Sequence, residues 1–405
     1  MSTLTLTRTR IHRQADWGVA HAWPILIIWS LVCAGAHAGQ HAWSWHFLVT
    51  GVHALFSAHP LQLYAQHPEL QMGPLSFLVG APFVLLLRGG VGEVAGILVL
   101  VAVGLLLIRE MRLLATPPNR QRQWFFVALL IVPAWAEIAV HWVHIDDALA
   151  LLSAIIALRL IRTGHPLGGA LLLGVAVDFK PWAVGFAALL LVTPRRQWLP
   201  LGALWVAVVA IAWGPFLLGD PSTLAALRYA IPIDSASTLH LIGTPGHGTP
   251  SWDRYAQLIG GFLLASVAVW RGRWASVFLL VVVIRLLLDP ATKNYYDAAL
   301  VIGAGIADLA ASTAAVPVLT LIAVALVYIP SYGLNGFPEE RAIIRTVALL
   351  ALAALAWRLR RLRDGSVAEE PYFPGVAGAL GGVDGPMTPA PTEPVPAEGG
   401  GAGTE

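Results

Sequence analysis

Long apolar runs separated by short polar segments dominate the chain. The runs occupy 20–38, 93–110, 124–141, 147–162, 167–178, 181–193, 199–218, 257–270, 274–288, 297–310, 314–330 and 341–357. Most approach the ~20 residues that an α-helix needs to cross the hydrocarbon layer. The pattern therefore predicts an all-α fold, a polytopic transmembrane bundle of about 12 spans.

Two further segments, both in the first long loop, are predicted to be helical without crossing the membrane. Apolar residues recur at helical spacing over 43–58, beside Trp43 and Trp45. The run 74–87 is short for a straight crossing and carries Pro74 and Pro82. We interpret it as a re-entrant or interfacial helix.

The arginines set the orientation of the bundle. If 74–87 does not cross, most of the 25 basic residues fall on the side of the N-terminus. The positive-inside rule makes that side cytoplasmic, so both termini are predicted to be cytoplasmic. The chain then divides into a cytoplasmic segment 1–19, a membrane domain 20–363 and a Pro- and Gly-rich tail 364–405, predicted to be disordered.

Composition supports this class of protein and excludes others. The chain is 57% hydrophobic and only 12% charged, about half the charged fraction of soluble domains. A net charge of +2 excludes a nucleic-acid-binding protein, and the single cysteine, Cys33, excludes a disulfide scaffold. The bias toward Ala, Gly, Leu and Arg suggests a bacterial source, so we expect a multi-pass protein of a bacterial plasma membrane.

Acids, histidines and aromatic residues gather in the loops predicted to face outside. These loops are 39–92, 141–147, 219–256 and the short segment around 289–297. No GxxxxGK[ST] motif for nucleotide phosphates occurs in the chain. An enzyme acting on that side would draw on a pre-activated, lipid-linked donor.

The order of three motifs resembles the GT-C superfamily of integral-membrane glycosyltransferases over roughly 20–357. The first outer loop leads into the Pro-rich sequence HPELQMGPL at 67–75, the turn GVAVDFKP occupies 174–181, and a long loop follows the seventh span. The chain looks closest to the actinobacterial mannosyltransferases that use polyprenyl-phosphate-mannose. The resemblance implies that a sugar, mannose in that branch, moves from a polyprenyl phosphate to an envelope glycolipid or glycan on the outer face.

The same resemblance implies an acidic general base shortly after the first span, and here the chain departs from the pattern. Ser44 stands at the place of that aspartate. A serine is not a base at neutral pH, so His46 and Glu69 are the candidate catalytic residues. An inactive sugar-binding relative and a transporter or flippase of lipid-linked sugars are the alternative functions.

Lys180 is the strongest candidate for substrate binding, because a lysine between apolar segments is costly unless it has a partner or a ligand such as the donor phosphate. The other candidates are Ser44, Gln71, Asp146, Asp147, Arg254, Lys293, Tyr295 and Tyr296. No cofactor is predicted. His141, His144 and Asp147 have the spacing of a divalent-metal site on one helix face, without a strong motif to support it. Arg285 and Asp308 are expected to form pairs inside the bundle.

Overall fold

The computed structural model describes residues 17–37, 39–40, 42–87, 89–115, 120–244, 248–312, 314 and 316–359. Within these ranges the chain is all-α, as predicted, and the one β-bridge joins Pro232 to Gly248. The predicted tail 364–405 and most of the segment 1–19 lie outside the described residues.

The α-helices are α1 Ala22–Ala36, α2 Trp45–Leu55, α3 Leu63–Gln66, α4 Pro74–Ala81, α5 Gly90–Leu114, α6 Arg120–Ala136, α7 Ile145–Arg162, α8 Pro166–Phe179, α9 Trp198–Gly219, α10 Thr238–Leu241, α11 Asp253–Trp270, α12 Val277–Leu288, α13 Asn294–Ala311, α14 Val318–Ala323, α15 Pro330–Gly333 and α16 Pro338–Ala356. π-Helical turns continue α4 over Pro82–Leu86, α6 over Glu137–His141 and α14 over Val324–Tyr328. 3₁₀ helices occupy Pro60–Gln62, Pro181–Val192, Arg195–Gln197, Pro221–Arg228 and Trp274–Ser276.

Within the described part of the chain, three helical segments are long and apolar enough to cross a membrane: Gly90–Leu114, Arg120–His141 and Arg195–Gly219. The helix over Arg195–Gly219 is almost wholly exposed on the outside of the bundle although it is apolar, which fits a membrane environment. Several other apolar helices, including α1 and α8, are shorter than 18 residues. The arrangement of about 12 spans therefore stays a prediction.

The centre of the bundle is formed by α7 and α13. Both helices are buried on nearly all sides, and Gly303 allows the backbone of α12 to approach α13 closely at Leu279. α8 packs along α7, and the 3₁₀ helix Pro181–Val192 packs along α11. The break between α8 and this 3₁₀ helix falls at Lys180 and Pro181, between the predicted apolar runs 167–178 and 181–193.

The carbonyl end of α8 is capped from the first loop. Gly73 N–H donates to the Phe179 carbonyl at 2.8 Å, and the Ser76 hydroxyl donates to the same oxygen at 3.0 Å. These bonds satisfy a carbonyl that the helix itself leaves without a partner. They also hold the start of α4 against the turn that carries Lys180.

We expect Gly73→Ala to destabilise the protein by about 2 kcal/mol or more, because no room exists for a methyl group. A Cβ at this position would lie 2.0 Å from the Asp178 carbonyl oxygen, a backbone atom that cannot move alone. Gly202→Ala in α9 is the matched control, since nothing lies within 4 Å of its Cβ position. The melting temperature measured in lipid nanodiscs should fall for Gly73→Ala and stay level or rise for Gly202→Ala. Equal melting temperatures would contradict the close packing of Gly73.

Candidate functional site

One cavity of about 330 Å³ brings together five separate stretches of the chain. They are the first loop, the α6–α7 connection, the Lys180 turn, the region between α9 and α11, and the α12–α13 connection. The lining side chains are Ser44, Phe47, Glu69, Gln71, Met72, Trp142, His144, Lys180, Pro181, Trp182, Tyr229, Ile231, Pro232, Arg254, Gln257, Leu258, Arg285, Asp289, Ala291, Lys293, Tyr295 and Tyr296. Four of these stretches include segments that the sequence predicts to face one side of the membrane, and the fifth is the Lys180 turn.

Two buried carboxylates at the start of α7 organise the wall of this cavity. Asp146 Oδ2 accepts a short hydrogen bond from the Lys180 ammonium group. Asp147 Oδ1 accepts from the Trp182 indole at 2.7 Å and from the Arg285 guanidinium at 3.3 Å. Lys180 and Arg285 are thus each paired with a buried carboxylate, and the attraction within each pair offsets the cost of removing both charges from water.

The ion pairs decide the protonation states of this layer. Burial alone would raise the pKa of Asp146, but the charge of Lys180 and a hydrogen bond from His144 hold that pKa below its usual value. Burial likewise opposes the charged form of Lys180, and the two carboxylates outweigh it and raise the lysine pKa. The site therefore contains a fixed ammonium–carboxylate pair at neutral pH.

His144 connects Asp146 to Ser44. Its Nδ1 lies 3.1 Å from Asp146 Oδ1, and its Nε2 lies 2.7 Å from the Ser44 hydroxyl. The imidazole ring also stacks on Tyr295 with 3.8 Å between ring centroids. Two hydrogen bonds and one stacked ring fix the orientation of this histidine.

The backbone just before His144 adopts an unfavourable conformation. Val143 has φ 53°, the one positive φ of a non-glycine residue in the described ranges. A β-branched residue there costs about 1–3 kcal/mol. The turn places Trp142 and His144 on the cavity wall on either side of the buried Val143.

Aromatic rings and cations alternate over the rest of the wall. Arg285 lies over the rings of Trp182 and Tyr296, at 4.4 and 4.7 Å from their centroids. Lys293 Nζ lies 5.8 Å above Trp142. Such a surface suits a ligand that combines apolar faces with negative charge.

Glu69 and Gln71 line the cavity, and both side chains are half-buried. Glu69 pairs with His67 at 3.2 Å and is about one-third exposed. Gln71 donates to the carbonyl oxygens of Pro68 and Ala226, at 2.8 and 3.0 Å. Gln71 thereby ties the first loop to the 3₁₀ helix that follows α9.

Most of the predicted site residues line this cavity or lie directly behind its wall, and His46 does not. Those that line the cavity are Ser44, Glu69, Gln71, Lys180, Arg254, Lys293, Tyr295 and Tyr296. Asp146 and Asp147 lie directly behind Lys180 and Trp182. His46 is exposed and is not among the lining residues, and its ring contacts that of Phe47 at 3.9 Å.

Several contributors were not foreseen as site residues. The sequence predicts no role for Trp182, predicts His144 only as a metal ligand and predicts Arg285 in a buried pair. The structure pairs Arg285 with Asp147, whereas Asp308 accepts hydrogen bonds from Thr320. An arginine within an apolar run was the available signal, and only the fold could identify its partner.

The three candidate metal ligands do not meet at one point. His141 lies instead beside Glu137, with 2.7 Å between its Nδ1 and Glu137 Oε2. His37 contacts the same carboxylate, with 3.1 Å between its Nε2 and Glu137 Oε1. His144 instead groups with Asp146 and Asp147. The carboxylates of that second group are already engaged by Lys180 and Arg285.

Asp253, at the start of α11, is expected to make stability depend on pH. Burial raises its pKa to about 7, and the neighbouring Arg254 offsets only part of this effect. The folded state then binds a proton more tightly than the unfolded chain, so stability falls as pH rises from about 4 to 7. Asp253→Asn should stabilise the protein at pH 8, by on the order of 2–4 kcal/mol, and much less at pH 5.

Asp234 supplies a control of opposite sign. Burial opposes its charged form, but hydrogen bonds from Thr292 and Ala236 outweigh burial and lower its pKa. The charged Asp234 carboxylate stabilises the folded protein above the pKa that it has in the unfolded chain. This stabilisation is lost as the pH falls through the pKa that Asp234 has in the folded protein. Asp234→Asn should therefore lower the melting temperature at pH 8. A gain at pH 8 from both variants would contradict this assignment of charges.

Comparison of the chain with protein-family models found no match, and comparison with curated proteins found none either.

Proposed function

We propose that the chain is a membrane glycosyltransferase that moves a sugar from a polyprenyl-phosphate donor to an envelope glycolipid or glycan outside the cytosol. The sugar would be mannose, by the resemblance of the sequence to that GT-C branch. The observation that carries the proposal is the cavity, in which an oriented histidine lies on the same wall as several cations.

Cations serve the leaving group in such a reaction. When the bond between the anomeric carbon and the phosphate oxygen breaks, negative charge develops on the lipid phosphate. Lys180, Arg254, Arg285 and Lys293 all line the cavity. Lys180 and Arg285 are held by carboxylates before any donor binds, and preorganised charges of this kind stabilise a developing anion best.

The acceptor hydroxyl needs a base within reach. His144 lies on the cavity wall, and Asp146 holds its Nδ1, so Nε2 is oriented to take a proton. In the resting site that nitrogen bonds to Ser44, so an acceptor hydroxyl would displace the serine or act through it. Glu69, which also lines the cavity and is about one-third exposed, is the alternative base, as the sequence suggested.

The rest of the bundle supports a location in the membrane. Among the described residues, three helices are long and apolar enough to span it. Two arginines at a predicted cytoplasmic connection contact residues near other predicted cytoplasmic connections. Arg159 forms an ion pair with Glu110, and Arg162 lies 4.7 Å above the Trp274 ring. The span number, the cytoplasmic termini and the outward-facing cavity remain parts of the proposal.

A transfer assay tests the proposal. The purified chain in lipid vesicles would receive radiolabelled polyprenyl-phosphate-mannose and a membrane extract as the source of acceptors. We expect a labelled glycolipid or glycan, together with release of polyprenyl phosphate. If no labelled product forms while an established GT-C mannosyltransferase works in the same vesicles, the proposal fails.

Arg254 offers a test of the donor site within the same assay. Arg254→Gln should raise the KM for the lipid donor by about tenfold, because one charge-assisted contact to phosphate is removed. Arg271→Gln is the matched control, since Arg271 follows α11 at its far end and its guanidinium lies over Trp270. Equal KM values for the two variants would remove Arg254 from the donor site.

A further inference from the structure

Ser44, His144 and Asp146 form a hydrogen-bonded chain in the order hydroxyl, imidazole, carboxylate. The distances are 2.7 Å from Ser44 Oγ to His144 Nε2 and 3.1 Å from His144 Nδ1 to Asp146 Oδ1. With Nδ1 donating to the carboxylate, Nε2 carries a lone pair that faces the serine hydroxyl. This is the geometry by which a general base activates a serine nucleophile.

The hydroxyl of Ser44 does not make the capping hydrogen bond that is usual for a serine at this position of a helix. Ser44 is the N-cap residue of α2, where a serine side chain normally accepts a hydrogen bond from the first turn of its own helix. Among the described residues Ser44 makes no such capping bond, and its hydroxyl is bonded to His144. Its backbone N–H donates to the Trp142 carbonyl, which joins α2 to the histidine's own turn.

The surroundings suit the anion that a nucleophilic serine creates. Trp45 N–H, the first of α2, donates to the Ala42 carbonyl, and the next N–H groups have no partner within the helix and lie at its positive end beside Ser44. Ser44 and His144 both line the cavity, so a ligand there can contact them, although their residues are only 3% and 6% exposed. Asp146 behind them is also held by Lys180, which fixes the carboxylate that orients the imidazole.

We propose that Ser44 is the nucleophile of an acyl-transfer activity whose substrates are carboxylic esters of lipids. Ser44 Oγ forms a bond to the ester carbonyl carbon while its proton passes to His144 Nε2. The bond between that carbon and the alcohol oxygen breaks, and His144 returns the proton to the departing alcohol. Water or an acceptor hydroxyl then releases the acyl group from Ser44 by the same steps, with His144 as base.

The substrate class follows from the walls of the cavity. Phe47, Met72 and Leu258 provide apolar contacts for an acyl chain, and Arg254 and Lys293 provide positive charge for an anionic head group. The proposal does not rest on sugar transfer, because it concerns the serine's own hydroxyl. In the transfer of a sugar Ser44 is a hydroxyl to be displaced, whereas here it forms a covalent bond.

A fluorophosphonate probe tests the reactivity of Ser44 directly, because it labels serines activated by a histidine and contains neither sugar nor lipid phosphate. We expect the intact chain in vesicles to form one adduct, which peptide mass spectrometry places on Ser44. Ser44→Ala and His144→Gln should lose the adduct. Ser276→Ala, which removes a buried hydroxyl that donates to the Ala356 carbonyl and lies outside the cavity lining, should keep it.

Turnover of a p-nitrophenyl acyl ester gives the second measurement. It should fall by about 100-fold or more in Ser44→Ala, at an unchanged melting temperature. The proposal is overturned if the unmodified chain forms no adduct where a known serine hydrolase in the same vesicles reacts. It is equally overturned if labelling of Ser44 persists in His144→Gln, since the histidine would then not activate the serine.

Discussion

Replacing Lys180 with methionine is expected to destabilise the protein by about 3–5 kcal/mol and to remove most of its activity. The ammonium group is buried against Asp146 and lies 3.6 Å from Asp147. Its removal leaves two carboxylates close together in a buried layer, with Arg285 held on the far side by Asp147. Chemical unfolding in mixed micelles, followed by tryptophan fluorescence, measures the loss.

Lys293→Met is the matched control for this prediction. Lys293 is an exposed lysine on the wall of the same cavity, so removing its charge should change stability by no more than about 0.5 kcal/mol. If the two lysine variants unfold alike, the buried ion pair does not hold the site together.

A double substitution separates stability from activity. Lys180→Met combined with Asp146→Asn removes both members of the ion pair, so much of the lost stability should return. Activity should not return, because Asp146 also orients His144. Recovery of both properties in the double variant would show that Asp146 has no role beyond pairing with Lys180.

The apolar pattern of the sequence predicted much of what positions the site. It predicted an all-α chain, a helix over 43–58 and the break at Lys180, and the structure shows α2, α8 and the 3₁₀ helix there. These features could be predicted because each depends on local periodicity or on a proline that interrupts it. Most of the residues that line the cavity come from segments predicted to face one side.

The choice between histidines could not be predicted from the sequence. His46 is two residues from Ser44 along the chain, whereas His144 is 100 residues away. The direction of α2 turns His46 outward, and the strained turn at Val143 places His144 beside Ser44. Nothing in a valine between Trp142 and His144 signals a left-handed backbone, so this contact depends on tertiary packing.

The pairing of buried charges was equally inaccessible. An arginine at position 285 predicts an acidic partner, but Asp147, Asp289 and Asp308 are all candidates by composition. In the structure Arg285 pairs with Asp147 and Asp289. Asp308 instead accepts hydrogen bonds from the backbone N–H groups of Leu319 and Thr320 at the start of α14. Only the packing of α12 against its neighbours decides among them.

The largest loss of activity is expected from His144→Gln, at about 1,000-fold or more in sugar transfer, because the substitution removes the oriented base. His46→Gln is the matched control and should leave turnover unchanged, since His46 is exposed and does not line the cavity. Turnover of the lipid donor under saturating conditions measures both. His144→Gly with added imidazole should regain part of the activity, because the lost ring borders a cavity that can admit the free base. If His46→Gln proves the more damaging variant, the base is His46, as the sequence alone allowed.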